Sequence, residues 1–236
     1  MLPIVLYTII MDVPSLHDIL VYHGSDKATH HEYDKAYEPV FNPLRHQPIS
    51  LLEIGVEDGH SMATWAEYFT HPKTRIVGLA YKNKLKETLD DQRMQIAYGS
   101  QDSPTVQREL ARKGNYSIII DDGSHVPSHQ WNSFNALWPF VMPGGLYIIE
   151  DVETNYWSTG TSIYGHKLAS EHNIMGNFKA IIDTAVNSEF STGVDSSDVE
   201  SISFHRNCIM LRKHGFKHKP RVYRFKTKLR GQRLPS

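Results

Sequence analysis

Apolar residues recur along this chain in two rhythms. Between residues 50 and 150, short apolar runs alternate with stretches whose apolar positions return every three or four residues. The runs fall at 50–54, 75–80, 94–98, 116–120 and 146–149. A strand that is apolar at successive positions suits burial on both faces, as in a parallel sheet. The intervening stretches predict helices over 62–69, 106–113 and 130–140, and a further one over 178–190. Met142-Pro-Gly-Gly145 reads as a helix stop and turn. This alternation predicts a doubly wound parallel sheet. After a polar turn at Ser196-Ser-Asp-Val199, residues 200–205 and 207–212 alternate into an antiparallel hairpin. The expected fold class is α/β, with seven strands, mostly parallel, and the hairpin closing the C-terminal edge.

Residues 12–47 read as a helical preamble. Ser15 caps a short helix carrying Leu16, Ile19 and Leu20, and Gly24-Ser-Asp-Lys27 reads as a polar turn. Tyr33, Tyr37, Val40, Phe41 and Leu44 then share one helix face. His30 and His31 are neighbours, about 100° apart on a helix, so at most one faces a site. Residues 1–10 are apolar but too few to span a bilayer. They lack the basic segment and cleavage site of a signal peptide, so a strand or ordered arm is expected, with Met11 as an alternative start. No other segment reaches transmembrane length. The chain thus divides into an N-terminal arm and helical cap (1–47), an α/β domain (48–213) and a C-terminal tail (214–236). Residues 154–165 read as a loop overhanging the site, with Tyr156 and Trp157 placed to pack on a substrate or to anchor the loop.

Composition adds two constraints. With 236 residues, 40% of them hydrophobic, the chain can build one full core. Its single cysteine, Cys208, excludes an intrachain disulfide framework and most cysteine-rich metal sites, and fits a reducing, cytoplasmic setting. The formal charge of −1 conceals an asymmetry: ten of the 25 Lys and Arg lie between Arg212 and Arg233, beyond the last acid, Glu200. The rest of the chain is therefore strongly acidic.

The candidate chemistry lies at two strand ends. Ser117-Ile-Ile-Ile-Asp121-Asp122-Gly-Ser-His125 and Gly145-Leu-Tyr-Ile-Ile-Glu150-Asp151 each end an apolar run in adjacent carboxylates. Ligands of such sheets gather beyond the carboxyl ends of the strands. Crowded carboxylates need a cation, a shared proton or basic partners. Neither motif contains Lys or Arg, so a hard divalent ion is the favoured remedy. The plain alternative is that these acids cap helices and anchor loops. Upstream, strand 50–54 runs into Gly55-Val-Glu-Asp-Gly59, where glycines permit tight turning and close approach to a ligand.

LLEIGVEDGHS, DDGSH, MPGGLYIIED and ISFHRNCIMLRK resemble the class I S-adenosylmethionine-dependent methyltransferases, with their Rossmann-like sheet. More narrowly they resemble the metal-dependent sugar O-methyltransferases of the macrocin and mycinamicin type, with cephalosporin hydroxylase-like relatives; GSDKATHHEY is similar to a segment upstream of strand one in that group. The resemblance spans roughly 20–213. It implies a cofactor loop at Glu53, Gly55, Val56 and Gly59, and an adenine-side loop at Gln101 and Asp102. It implies a magnesium ion on Asp122, Glu150 and Asp151, a general base at His125, and Asp121 on the cofactor side. A sugar hydroxyl would be the methyl acceptor. One departure stands out: the family usually has an acid at the end of strand two for the cofactor ribose, and here Ala80 stands there, with Ser100 where a further acid is more usual.

Two other readings follow from these features. Ala80 fits a methyltransferase-fold binding protein with weakened or no turnover. The basic tail, with Phe216, Tyr223 and Phe225 interleaved, fits an RNA-directed methyltransferase, although the expected pocket is acidic. The apolar N-terminal arm suggests a contact between subunits of a homo-oligomer.

Overall fold

The computed structural model describes residues 13–85, 90–157, 163–165, 173–186 and 198–215. The expected N-terminal arm, most of the basic tail and residues 158–162 of the expected 154–165 loop lie outside the described residues.

Seven strands form one sheet: β1 (Ser50–Ile54), β2 (Arg75–Ala80), β3 (Met94–Tyr98), β4 (Tyr116–Asp121), β5 (Val141–Glu150), β6 (Val199–His205) and β7 (Cys208–Lys213). Their order is β3-β2-β1-β4-β5-β7-β6. β1 to β5 run parallel, while β7 lies antiparallel to both β5 and β6. The order reverses direction between β1 and β4, so a crevice opens beyond their carboxyl ends.

Two helical layers cover the sheet. On one face lie α1 (Leu16–Tyr22), α2 (Asp26–Thr29), α3 (Asp34–Phe41) and α4 (His60–Tyr68). Leu16, Tyr37, Phe41, Trp65 and Phe69 pack there with Leu51, Ile76, Ile118 and Ile148. On the other face lie α5 (Pro104–Lys113), α6 (Pro127–Leu137) and α7 (Ile174–Val186). Leu110, Phe134, Leu137 and Phe178 pack there with Leu52, Val77, Ile119 and Ile149. Successive strand residues serve opposite layers, which explains why the central strands β1, β2, β4 and the end of β5 are apolar at nearly every position.

Three elements depart from expectation. Gly24-Ser-Asp-Lys27 is only partly a turn, because Asp26 and Lys27 begin the four-residue helix α2. The tyrosine-bearing helix starts at Asp34 and follows a turn through His31-Glu-Tyr33. Met142-Pro-Gly-Gly145 lies inside β5: Tyr116 pairs with Val141 and Ile118 already with Leu146. The four residues bulge from the ladder and the strand resumes, helped by Gly144 at φ +79°. Ser15 caps α1 as expected, in a capping box with Asp18.

Candidate active site

Strand alternation sorts the carboxylates by face. Glu53 on β1 and Glu150 on β5 point into the α1–α4 layer, each 1% exposed. Asp121, the last residue of β4, points to the opposite layer, fully buried, where Gln101 Nε2 donates to Oδ1 at 3.0 Å. Asp122 and Asp151 lie just past the ends of β4 and β5. The four acids of the two motifs therefore do not share one cleft: Asp121 leaves it, and Glu53 enters.

A side chain not anticipated at the site sits among them. Lys27 on α2 is 2% exposed. Its Nζ donates to Asp122 and, at 2.7 Å, to Glu150, and lies 3.6 Å from Glu53. The charge balance assigned above to a divalent ion is thus partly met by a buried ammonium. Burial alone would lower the Lys27 pKa, but Asp122, Glu150 and Glu53 outweigh it and raise it. Tyr37 on α3 donates its hydroxyl to Glu150, and Gln130 Nε2 holds the Glu150 backbone carbonyl at 2.8 Å. Glu53 accepts from Ser61 at 2.8 Å and from the Trp65 indole at 3.1 Å.

Asp122, His125 and Asp151 form a second group, nearer solvent. One ligand atom from each lies within 4.8 Å of the others, a spacing that a single ion can bridge. His125 Nδ1 is 2.7 Å from Asp151 Oδ2, and Nε2 is 3.9 Å from Asp122 Oδ1. Tyr33 donates to Asp151 Oδ1 at 2.7 Å and Asn207 Nδ2 to the same oxygen at 2.8 Å. Burial works against ionisation of Asp151, but the bonds from His125 and Tyr33 prevail and bring its pKa down to about 2. Burial likewise disfavours imidazolium at His125, yet the bond to Asp151 and the neighbouring carboxylates raise its pKa. His125 and Asp151 both adopt the left-handed backbone region, at φ 55° and 54°. Non-glycine residues rarely hold that conformation unless surrounding contacts enforce it, and such residues cluster at functional sites.

The group forms one wall of a cavity of about 780 Å³ beyond the ends of β1, β2 and β4. Gly55, Val56, Gln101, Asp122, His125 and Asp151 line it. Gly55, at φ +104°, is required by the fold itself: a Cβ there would lie 1.8 Å from the Asp122 carbonyl oxygen. The close approach is thus to the β4 loop, where Asp122 begins. Gly59 starts α4 at φ +98°. Asp102 is drawn outward, accepting from Asn132 at 2.8 Å. Gln101 links two loops, since its Oε1 accepts from Ser124 N at 2.6 Å while its amide holds Asp121. Burial pushes the Asp121 carboxyl up to about 7, against the opposing pull of Gln101. At the end of β2, Ala80 is fully buried against the α1–α4 layer, and Tyr81 and Lys82 face the cavity instead. Glu57 and Asp58 line it from the β1 loop.

A seven-stranded sheet in this order, with β7 antiparallel and a polar cavity at the switch point, has a well-known counterpart. The MycE methyltransferase from the mycinamycin biosynthetic pathway, solved in complex with Mg and SAH, superposes with a TM-score of 0.74 at 29% identity, over 85% of this chain and 55% of that one. The fold is that of the class I S-adenosylmethionine-dependent methyltransferases. In sequence, the chain is 32% identical over 216 residues to 8-demethyl-8-alpha-L-rhamnosyl tetracenomycin-C 2'-O-methyltransferase of Streptomyces olivaceus, covering 86% of this chain and 55% of that protein. It is 34% identical over 206 residues to the 3'-O-methyltransferase of the same organism that acts on the 2-methoxy-rhamnosyl compound, covering 81% and 52%. The chain thus spans about half the length of the curated relatives it matches. No protein-family model matches it.

Proposed function

We propose that this chain is an S-adenosylmethionine- and magnesium-dependent O-methyltransferase acting on a hydroxyl of a sugar-containing small molecule. The observation that carries the reading is the grouping of Asp122, His125 and Asp151 on the wall of the switch-point cavity, in a fold shared with a methyltransferase solved with Mg and SAH.

The residues fit both the ion and the donor. Asp122 and Asp151 offer hard oxygen ligands at bridging distance, with Glu150 directly behind Asp122 across Lys27. The cavity is large enough for a nucleoside-sized donor, and Gly55 and Val56 line it. A magnesium ion held there would lower the pKa of a sugar hydroxyl, and the donor would supply an electrophilic methyl. The chain's own residues do the remaining work. Asp151 binds His125 through Nδ1, which orients the ring and leaves Nε2 to take the hydroxyl proton. Tyr33 and Asn207 hold Asp151 in turn. The cavity walls align acceptor oxygen and methyl group. With no acid at the end of β2, Glu57 and Asp58 in the β1 loop are carboxylates along the cavity that can accept from the ribose hydroxyls.

Titrating S-adenosylmethionine or SAH into the protein with magnesium tests this reading. Saturable binding is expected, and silence at millimolar ligand would remove it. Buried Ala80 favours a second reading, a binding protein that keeps the fold without turnover. Donor binding without methyl transfer to any glycoside would support that reading.

A further inference from the structure

We propose that Lys27 is a resident counter-cation of the metal centre, holding Asp122 and Glu150 in place until a divalent ion takes Asp122 from it. The inference rests on the reading of Asp122 and Asp151 as metal ligands.

Three observations carry it. Lys27 is 2% exposed on a helix of only four residues, so its ammonium is removed from water and depends on its partners. Those partners come from three strands: Glu53 on β1, Asp122 after β4 and Glu150 on β5. Of the three, Asp122 alone reaches the cavity, with its side chain 21% exposed against 1% for each of the others. Its Oδ2 bonds Lys27 while Oδ1 faces His125 within the metal-sized group. One carboxylate therefore serves two cations. Like charges so close repel, and the repulsion is weakly screened away from water. Lys27 accordingly lowers the affinity of the centre for its ion while keeping the ion-free carboxylates ordered.

A lysine that served the fold alone would, when replaced, weaken the protein equally with and without metal. A counter-cation makes the opposite demand: its loss is repaired by the ion. Full-length wild type and the variants Lys27→Met, Lys27→Gln and Lys27→Arg, all stripped with chelator, are compared by Mn2+ titration calorimetry and by thermal unfolding with EDTA or magnesium. Lys27→Met and Lys27→Gln are expected to bind Mn2+ on the order of tenfold more tightly. They are also expected to show a larger magnesium-induced rise in Tm than wild type, whereas Lys27→Arg stays close to it. Variants that fold only with the ion would support the proposal. Unchanged or weaker affinity, or variants unfolded even with magnesium, would overturn it while wild-type binding stands. Absence of Mn2+ binding in wild type would instead remove the metal reading itself, and this inference with it.

Discussion

His125 and Asp151 are each held at positive φ and bonded to one another, so the site is organised by individual residues. Replacing His125 with Ala should lower turnover about 10²–10⁴-fold, the usual worth of a positioned base, while SAH affinity measured by calorimetry stays near wild type. An equal loss of both would assign the imidazole to binding. Gly55→Ala places a methyl group 1.8 Å from the Asp122 carbonyl at a φ that side chains avoid. It should cost more than about 3 kcal/mol in urea unfolding. Asp121 sets a pH signature. Its folded pKa of about 7 exceeds its ordinary value of 3.8, so the folded state binds the additional proton. That stabilisation is complete below about pH 4 and is lost as pH rises through about 7, on the order of 4 kcal/mol across the window. In chelator-treated protein, Asp121→Asn should flatten the slope of stability between those limits.

At the scale of elements, α2 and α3 do more than cover the sheet. Lys27, Tyr33 and Tyr37 reach Asp122, Asp151 and Glu150 from one short stretch of chain. Tyr37→Phe would leave a buried Glu150 oxygen without its donor and should cost about 1–3 kcal/mol of stability. A loss below a few tenths would mean that water or Lys27 replaces the hydroxyl. This layer was also the least legible part of the sequence. Tyr33 and Tyr37 were readable as a helix face because their spacing is local, but their hydroxyl partners lie 118 and 113 residues away. Lys27 meets Asp122 and Glu150 across 95 and 123 residues, and Gly24-Ser-Asp-Lys27 carries the composition of a turn. The central strands, by contrast, were readable, since burial on both faces leaves a nearly unbroken apolar run. β5 was the partial exception, because Pro143 and two glycines signal a break where the chain only bulges. Asp121 and Asp122 are adjacent in sequence, and only the observed end of β4 shows that they serve opposite faces of the sheet.

For the whole molecule, the order of strands places one cavity, one cluster of ligating atoms and one loop-linking glutamine at the same end of the sheet. The central claim is that the methyl donor and a divalent ion meet there. The most direct test is a crystal grown with SAH and Mn2+, examined by anomalous scattering. The account predicts a single strong peak within about 2.5 Å of both Asp122 and Asp151 carboxylates, with SAH lying over Gly55 in the adjoining cavity. A structure with SAH bound and no peak at those carboxylates, or with the ion held elsewhere, would contradict it.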